Sequence, residues 1–338
     1  MKSKPEQMNK NTKIAVFGSG SWATAIVKML CENLNQVGWY VRNESTLTYI
    51  KENQHNPNYL SSAEFSIKKL HLSSDINEMV QYADILIFAI PSVYLKAELD
   101  KITIDFSTKI IFSAIKGIVP DTGLIVGEHF NKMYGIPFEN IGVITGPCHA
   151  EEVAMERLSY LTIACQDEKK AQQLGEFLSS HYINTKISDD IIGTEYAAML
   201  KNIFAIAAGI AHGIGYGDNF QAVLMSNSIR EMKRFIKKVH KMKRNIKNSA
   251  YLGDLLVTGY SIFSRNRMFG NMIGKGYTVK SAMMEMSMVA EGYYACKSAY
   301  AINEKNKAKT PIIDAVYAIL YLNKNPKQVF KKLTEQLD

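Results

Sequence analysis

One lysine, Lys201, stands inside an otherwise apolar stretch of helical spacing, YAAMLKNIFAI at 196–206. Burying an unpaired ammonium costs several kcal/mol, so a lysine in this setting needs a carboxylate partner, a ligand or a lowered pKa. Each of these conditions suits a general acid or base. An isolated lysine of this kind more commonly extends to the surface, so the interpretation depends on the other polar stretches of the chain.

Three further stretches strengthen the chemical interpretation. Lys116 follows a strand candidate that ends at Ser113, which places its ammonium at the carboxyl edge of a sheet, where ligands bind in such folds. Asp254 is a carboxylate among apolar neighbours in GDLLVT. The run SRNR at 264–267 supplies guanidinium and amide donors suited to a phosphate.

A glycine turn, GSGSWA at 18–23, directly follows a short apolar run and directly opens a helical pattern. In a dinucleotide-binding turn, Gly18 permits the tight bend and Gly20 lets the backbone approach the pyrophosphate, while Ala23 allows close helix packing. The start of the helix offers free N–H groups and a positive dipole end to the phosphates. We therefore expect a nicotinamide cofactor, with an ordinary glycine turn as the alternative.

The second strand should end beside the adenosine ribose, where NAD-specific sites usually place an acidic residue. Here the strand ends in Val41-Arg42-Asn43, and Arg42 could meet a 2′-phosphate or only stack on the adenine. The sequence favours NADP slightly over NAD.

Short apolar runs alternate with helical patterns in the first part of the chain, which predicts an α/β fold with a doubly wound, mainly parallel Rossmann-type sheet. The strand candidates are 13–17, 37–41, 85–90, 109–113, 141–145 and 160–164. Helical patterns alone follow, at 194–214, 220–242, 279–303 and 311–322, and a short amphipathic helix is expected in 324–338. We therefore predict a dinucleotide-binding domain at 1–190, with a flexible polar tail at 1–12, and an all-α substrate and catalytic domain at 191–338.

Composition and charge narrow the class of protein. The 338 residues are 47% hydrophobic, and the polar start resembles no signal peptide, so we expect a cytoplasmic globular protein with reduced cysteines. Much of the net charge of +8 lies in 230–247, which holds nine Lys or Arg residues. The preferred interpretation is a solvated helix face rather than a nucleic-acid site, with weak association to anionic membranes as the alternative. The seven histidines lack ligand spacing, so no metal is expected.

The sequence resembles the bacterial NAD(P)-dependent glycerol-3-phosphate dehydrogenases over nearly its full length. The matching blocks are GSGSWATAI at 18–26, IPS at 90–92, IKGI at 115–118, TGPCHAEEVA at 145–154, EYAAMLKNIFAIAAGI at 195–210, GDN at 217–219, GDLLVT at 253–258, SRNRMFG at 264–270 and VAEG at 289–292. Their order and separations agree with the family, and together they are highly specific.

The resemblance implies reversible hydride transfer between nicotinamide and C2 of dihydroxyacetone phosphate, giving sn-glycerol 3-phosphate for glycerophospholipid synthesis. It implies an active site between the two domains and a homodimer. The implied catalytic residues are Lys201, Lys116 and Asp254. Substrate binding is implied for those three and for Gly146, Cys148, Thr258, Ser264, Arg265 and Asn266. Cofactor binding is implied for Gly18, Gly20, Ser21, Trp22, Ala23, Arg42, Lys116, Ala150, Arg265, Val289 and Glu291.

Two positions depart from the family pattern, which usually has Gly at Ala23 and Ser at Cys148. A thiol is a weaker hydrogen-bond donor than a hydroxyl, so the resemblance implies a weaker substrate contact at Cys148 than the usual serine makes. The loop at 243–252, which precedes the GDLLVT block, is also more basic and less glycine-rich than is usual in the family. The resemblance therefore implies no particular shape for this loop.

Other assignments are weighed against this one. A β-hydroxyacid dehydrogenase does not account for Lys116 and the 264–266 block, and a non-catalytic nucleotide sensor gives no reason for a lysine–carboxylate group. The run GNMIGKG at 270–276 is similar to a phosphate loop but has one spacer residue too few and lacks the final Ser or Thr, so we reject that motif.

Overall fold

The computed structural model describes residues 12–286 and 290–338. The chain divides into two compact units. The first contains the chain up to Ile115 and Gly127–Ile191, and the second contains Lys116–Val126 and Ile192–Asp338. The short segment 116–126, which carries Lys116, therefore belongs to the helical unit although it lies well before residue 190.

Eight strands of the first unit form one sheet in the order β10-β9-β8-β5-β4-β1-β2-β3. These strands are β1 (Ile14–Phe17), β2 (Val37–Tyr40), β3 (Leu70–Ser73), β4 (Ile85–Phe88), β5 (Ile110–Ser113), β8 (Ile141–Thr145), β9 (Ser159–Cys165) and β10 (Ile183–Ser188). All neighbouring pairs are parallel except β8 with β9. The strand order reverses beside β1, which is the switch point where such sheets bind ligands. The predicted mainly parallel, doubly wound fold is confirmed.

Helices connect the strands of the first unit, namely α1 (Ser21–Asn33), α2 (Glu44–Asn53), α3 (Ile76–Tyr82), α4 (Ser92–Leu99), α5 (Val126–Tyr134), α6 (Ala150–Ala154) and α7 (Glu168–Leu178). Strands β1, β2, β4 and β8 are buried along their whole length, as expected when helices cover both faces of a parallel sheet. The apolar runs that predicted these strands therefore form the core of the unit.

The described residues of the second unit are helical apart from a two-stranded hairpin, β6 (Ile118–Val119) with β7 (Leu124–Ile125). Its helices are α8 (Ile191–Gly213), α9 (Asp218–Val239), α10 (Asp254–Tyr260), α11 (Arg265–Gly274), α12 (Val279–Glu285), α13 (Glu291–Asn306), α14 (Pro311–Tyr321) and α15 (Pro326–Thr334). Helix α8 is long and apolar enough to cross a membrane, but 94% of that stretch is buried inside the protein. It is the core helix of this unit.

Two helix predictions need correction. The single helix expected at 279–303 is wrong, because α12 ends at Glu285 and α13 begins at Glu291, with the flanking Met286 and Ala290 in extended conformations. The helix expected at 220–242 ends earlier, at Val239, since His240 is extended. The basic stretch therefore continues beyond the helix into a loop. A π-helical turn at Ser249–Gly253 then leads directly into α10.

Candidate active site

The glycine turn after β1 has the two properties expected of a pyrophosphate cradle. Gly18 has φ +122°, and a Cβ there would lie 2.6 Å from the carbonyl oxygen of Ala89, so only glycine fits. Gly20 precedes α1, and a Cβ there would meet no heavy atom within 4 Å. The bare face of Gly20 therefore opens onto free space at a helix N-terminus, which fits the close approach of a phosphate group.

A buried asparagine that the sequence reasoning missed supports this turn. Asn56 is fully buried, and its amide donates 2.9 Å bonds to the Ser19 carbonyl and the Thr24 hydroxyl. It thereby ties the turn to the first helical residues. No local pattern marks this role of Asn56, because the Ser19 and Thr24 acceptors of its amide lie more than 30 positions earlier in the chain.

The end of β2 lies directly beside the glycine turn. The Gly18 amide donates to the Tyr40 carbonyl at 3.3 Å, and the Trp39 indole donates to the Gly18 carbonyl at 2.8 Å. Arg42 follows two residues later, and its guanidinium pairs with the buried carboxylate of Glu98 at 2.9 Å. The sequence reasoning missed this pairing.

Three other expected site residues also belong to the first unit. Gly146 has φ +126°, and a Cβ there would lie 2.7 Å from the Tyr160 carbonyl oxygen. The buried thiol of Cys148 donates to that same carbonyl at 3.2 Å, and Ala150 begins α6. The structure thus gives Gly146 and Cys148 clear roles in shaping the loop after β8.

The second unit brings together the three residues expected to do chemistry. Lys201 on α8 is 4% exposed and forms an ion pair with Oδ1 of Asp254, which is 1% exposed at the start of α10. Burial lowers the pKa of the Lys201 ammonium to about 8, the carboxylate of Asp254 opposes this shift, and the charge of Lys116 reinforces it. Lys116 is therefore close to Lys201, as the chemical interpretation requires.

The backbone around this group is held by neighbouring side chains. The Asn202 amide donates to the Lys116 carbonyl at 3.2 Å, which ties the 116–126 segment to α8. The Thr258 hydroxyl donates to the Asp254 carbonyl at 2.7 Å, one turn back in α10. Oδ2 of Asp254 is buried and has no hydrogen-bond partner among the described residues. The carboxylate thus retains an acceptor for a further donor.

The 264–266 block forms the start of α11. The Ser264 hydroxyl caps this helix by accepting a bond from the Arg267 amide at 3.3 Å, and Arg265 is its first residue. Asn266 is buried, and its side-chain oxygen accepts a 2.9 Å bond from the Gly292 amide. A helix N-terminus beside a guanidinium is suited to an anionic group.

Glycines bring α8 and α11 into backbone contact. A Cβ at Gly209 would lie 2.0 Å from the Arg267 carbonyl oxygen, and one at Gly270 would lie 2.1 Å from the Ile206 carbonyl oxygen. The helix that carries Lys201 and the helix that begins at Arg265 therefore cross at a fixed distance. Gly270 and Gly274 of the GNMIGKG run serve this packing, and Gly276 has φ +100°, so its glycines are explained without a phosphate loop.

Of the remaining expected residues, Ser21, Trp22 and Ala23 form the first turn of α1 in the first unit. Glu291 begins α13, whereas Val289 lies outside the described residues. Over residues 12–286 and 290–338, no group of three or more His, Cys, Asp or Glu side chains could hold a metal ion.

A doubly wound sheet with a glycine turn between its first strand and helix, followed by a helical unit with a buried lysine–aspartate pair, defines a two-domain nicotinamide-dependent dehydrogenase. The comparisons with known proteins specify which one. The N-terminal model of NAD-dependent glycerol-3-phosphate dehydrogenase matches residues 13–171, and its C-terminal model matches 190–331. The chain belongs to this NAD-dependent glycerol-3-phosphate dehydrogenase family.

Individual relatives agree over nearly the whole length. Glycerol-3-phosphate dehydrogenase [NAD(P)+] of Latilactobacillus sakei is 34% identical, covering 91% of this chain and 92% of the relative. The enzyme of that name from Staphylococcus aureus is 33% identical, covering 96% and 98%. The crystal structure of glycerol-3-phosphate dehydrogenase from Coxiella burnetii superposes with a TM-score of 0.88 at 26% identity, covering 96% and 99%.

Proposed function

We propose that this chain catalyses the NAD(P)-dependent, reversible reduction of dihydroxyacetone phosphate to sn-glycerol 3-phosphate, with Lys201 as the general acid and base. It is an oxidoreductase acting on a CH–OH group, as its family is. The observation that carries the residue assignment is the buried ion pair between Lys201 and Asp254, with Lys116 beside it.

The proposed chemistry follows from charge. When bound, the nicotinamide supplies or accepts a hydride, so C2 of the ketone gains two electrons and its oxygen becomes negative. The ammonium of Lys201 donates a proton to that oxygen and completes the alcohol, and in reverse the neutral amine accepts it. A pKa lowered to about 8 suits this exchange near neutral pH. The charge of Lys116 stabilises the developing oxyanion.

Asp254 positions Lys201 in this proposal, because it holds the ammonium by one carboxylate oxygen within a buried setting. Without it, the lysine would be free to adopt other rotamers or to lose its proton. We assign the substrate phosphate to Arg265 and the N-terminus of α11, with Asn266 and Ser264 fixing the shape of that turn. Such an anchor, distant from C2, orients the carbonyl.

The cofactor is NAD or NADP, and the residues of the first unit fit it. Gly20 leaves open space in front of the α1 N-terminus for the pyrophosphate, and Gly18 and Ala23 allow the close packing that this turn needs. Arg42 lies at the end of β2, where the adenosine ribose is read.

Initial rates with dihydroxyacetone phosphate, measured separately with NADH and NADPH, test the activity. Oxidation of either cofactor that depends on this substrate supports the proposal. Absence of turnover with both cofactors, together with turnover of a 2-keto acid, would refute it in favour of a hydroxyacid dehydrogenase.

Three finer assignments complete the proposal: a homodimer, a cytoplasmic location and weak attraction to anionic membranes. The third is supported by the exposed lysines of α9, Lys233, Lys237 and Lys238. The only acidic residue in 230–247 is Glu231, which is buried, so no carboxylate of that stretch offsets their charge at the surface. Sedimentation of the purified protein tests the dimer, and a single species at the monomer mass would exclude it.

A further inference from the structure

Glu98 on α4 is a buried carboxylate for which the proposed chemistry has no use. It is 3% exposed, and its two oxygens accept bonds from three side chains. Oε2 accepts from the Tyr40 hydroxyl at 2.9 Å, Oε1 accepts from Arg42 at 2.9 Å, and Lys101 donates to both oxygens at 2.9 and 3.0 Å. A buried acid with this many partners indicates a defined charge at a defined place.

The ionisation state of Glu98 is clear. Burial alone would raise the pKa of this carboxyl, but the bonds from Lys101, Arg42 and Tyr40 outweigh burial and hold it below its usual range. Glu98 is therefore a carboxylate at neutral pH, and the group formed by Glu98, Arg42 and Lys101 carries one net positive charge.

This group adjoins the carboxyl end of β2, where dinucleotide-binding sheets read the ribose 2′ position. Tyr40 and Arg42 are at the carboxyl end of β2, and the Tyr40 carbonyl is bonded to the glycine turn. Acidic residues at this strand end usually accept the ribose 2′-hydroxyl of NAD. Glu98 does not present such an acceptor, because it is buried and both of its oxygens are already bonded. Its effect on a cofactor must therefore pass through Arg42.

We propose that Glu98 is a specificity-determining residue that offsets the charge of Arg42 and thereby lets the site accept NAD as well as NADP. This inference rests on the proposed cofactor position in the first unit. Arg42 remains 64% exposed while paired, so N–H groups that do not face Glu98 can bond a 2′-phosphate. The Glu98 carboxylate repels that phosphate, and this repulsion limits the preference for NADP that a bare arginine would give.

Two substitutions that should change the ratio of NADPH to NADH affinity in opposite directions test this proposal. Glu98→Gln keeps the shape of the side chain and removes its charge, so the ratio of NADPH affinity to NADH affinity should rise about three- to tenfold. Lys101→Met leaves the carboxylate and removes a balancing charge, so the ratio should fall by about two- to threefold. A purely structural role of Glu98 would change both affinities alike.

The dissociation constants are measured by fluorescence titration of each reduced cofactor against the full-length protein, with kcat/KM for both cofactors as a second readout. In Arg42→Ala, NADPH affinity should fall at least about tenfold more than NADH affinity. In that background, Glu98→Gln should change the ratio much less than it does alone, since the effect passes through Arg42. An unchanged or lowered ratio in Glu98→Gln, or a raised ratio in Lys101→Met, would overturn the proposal.

Titration also separates this proposal from the proposed activity. Shifted affinities without turnover of dihydroxyacetone phosphate would leave the role of Glu98 standing and refute the activity. Turnover of dihydroxyacetone phosphate, with the same ratio of NADPH to NADH affinity in every variant, would support the activity and refute the role of Glu98. Should Glu98→Gln fail to fold, Lys101→Met still decides, because Lys101 is partly exposed and the proposal requires the ratio of NADPH to NADH affinity to fall in that variant.

Discussion

Lys201 and Asp254, which are 53 positions apart in the chain, form an ion pair with almost no exposed surface on either partner. Such a pair is costly to desolvate, so stability alone gives little reason for it. The proposed role of Lys201 as a proton donor beside Lys116 gives the pair a functional reason. The first two predictions follow from this pair.

Lys201→Ala should reduce kcat for dihydroxyacetone phosphate reduction by about a hundred- to ten-thousandfold, because the proton donor is lost. Cofactor affinity should change much less, since the cofactor residues we assign lie mainly in the first unit. Leaving Asp254 buried without its partner should also cost about 3–5 kcal/mol of stability, so thermal unfolding is followed in parallel. Lys297→Ala, at an exposed position on α13, is the matched control. Turnover near the wild-type rate in Lys201→Ala would refute the assignment.

Asp254→Asn should shift the pH profile of the reduction toward acid. Reduction needs protonated Lys201, so kcat should fall as the pH rises through about 8 in the wild type. The Asp254 carboxylate raises the pKa of Lys201, so its removal should lower that pKa and begin the fall at lower pH. An inflection that stays in place or moves upward would contradict the positioning role. The profile is measured at saturating cofactor and substrate.

The two glycines of the cofactor turn should fail in different ways. Gly18→Ala should destabilise the fold, because its φ of +122° and the 2.6 Å approach to the Ala89 carbonyl leave no room for a side chain. Gly20→Val should fold with a similar melting temperature but bind NADPH and NADH at least about tenfold more weakly, since its side chain enters free space that we assign to the pyrophosphate. Unimpaired binding by Gly20→Val would place the cofactor elsewhere.

Glu231 should make stability depend on pH. Its buried carboxylate accepts bonds from the Ile312 and Ile313 amides at 3.0 and 2.9 Å, at the start of α14. Burial raises its pKa to about 8 despite these bonds. The folded state thus binds the Glu231 proton more tightly than the unfolded chain does. The stability that this proton contributes is full below the unfolded pKa of about 4.5 and is lost as the pH rises through 8. Glu231→Gln should therefore show a smaller difference in melting temperature between pH 6 and pH 8 than the wild type. An equal or larger difference would contradict a pH-dependent contribution of Glu231 to stability.

The basic stretch should bind anionic vesicles only at low ionic strength. A sedimentation assay compares vesicles with and without phosphatidylglycerol, since screening should abolish a purely electrostatic contact at high salt. Replacing Lys233, Lys237 and Lys238 by Glu should remove binding. The same charge change at Lys51, Lys68 and Lys169, exposed lysines of the first unit, should not. Equal loss in both triple variants would indicate net charge rather than a defined surface.

The sequence predicted the central strands well because burial on both faces makes them continuous apolar runs. It did not reveal β3 and β10, which are the two edges of the sheet, where strands such as INTKIS carry polar residues that face solvent. The break between α12 and α13 was also missed, since apolar spacing continues across it.

The residues of the site also divide into those that the sequence marks and those that it does not. Lys201, Asp254 and the glycine turn were found because each contradicts its local surroundings or has a known spacing. Glu98 and Asn56 were not, because each acts on a partner more than 30 positions away, Arg42 for Glu98 and Ser19 for Asn56, and nothing in the local pattern records such contacts.

The placement of segment 116–126 in the helical unit has a consequence for recombination between relatives. Ile118 and Ile125 of this segment are buried in the core of that unit, and its Lys116 stands beside Lys201. A chimera joined once near residue 190 would take its two lysines from different parents and would pack one parent's hairpin into the other parent's helices. A functional exchange of the helical unit therefore needs three junctions, near 115, 126 and 191.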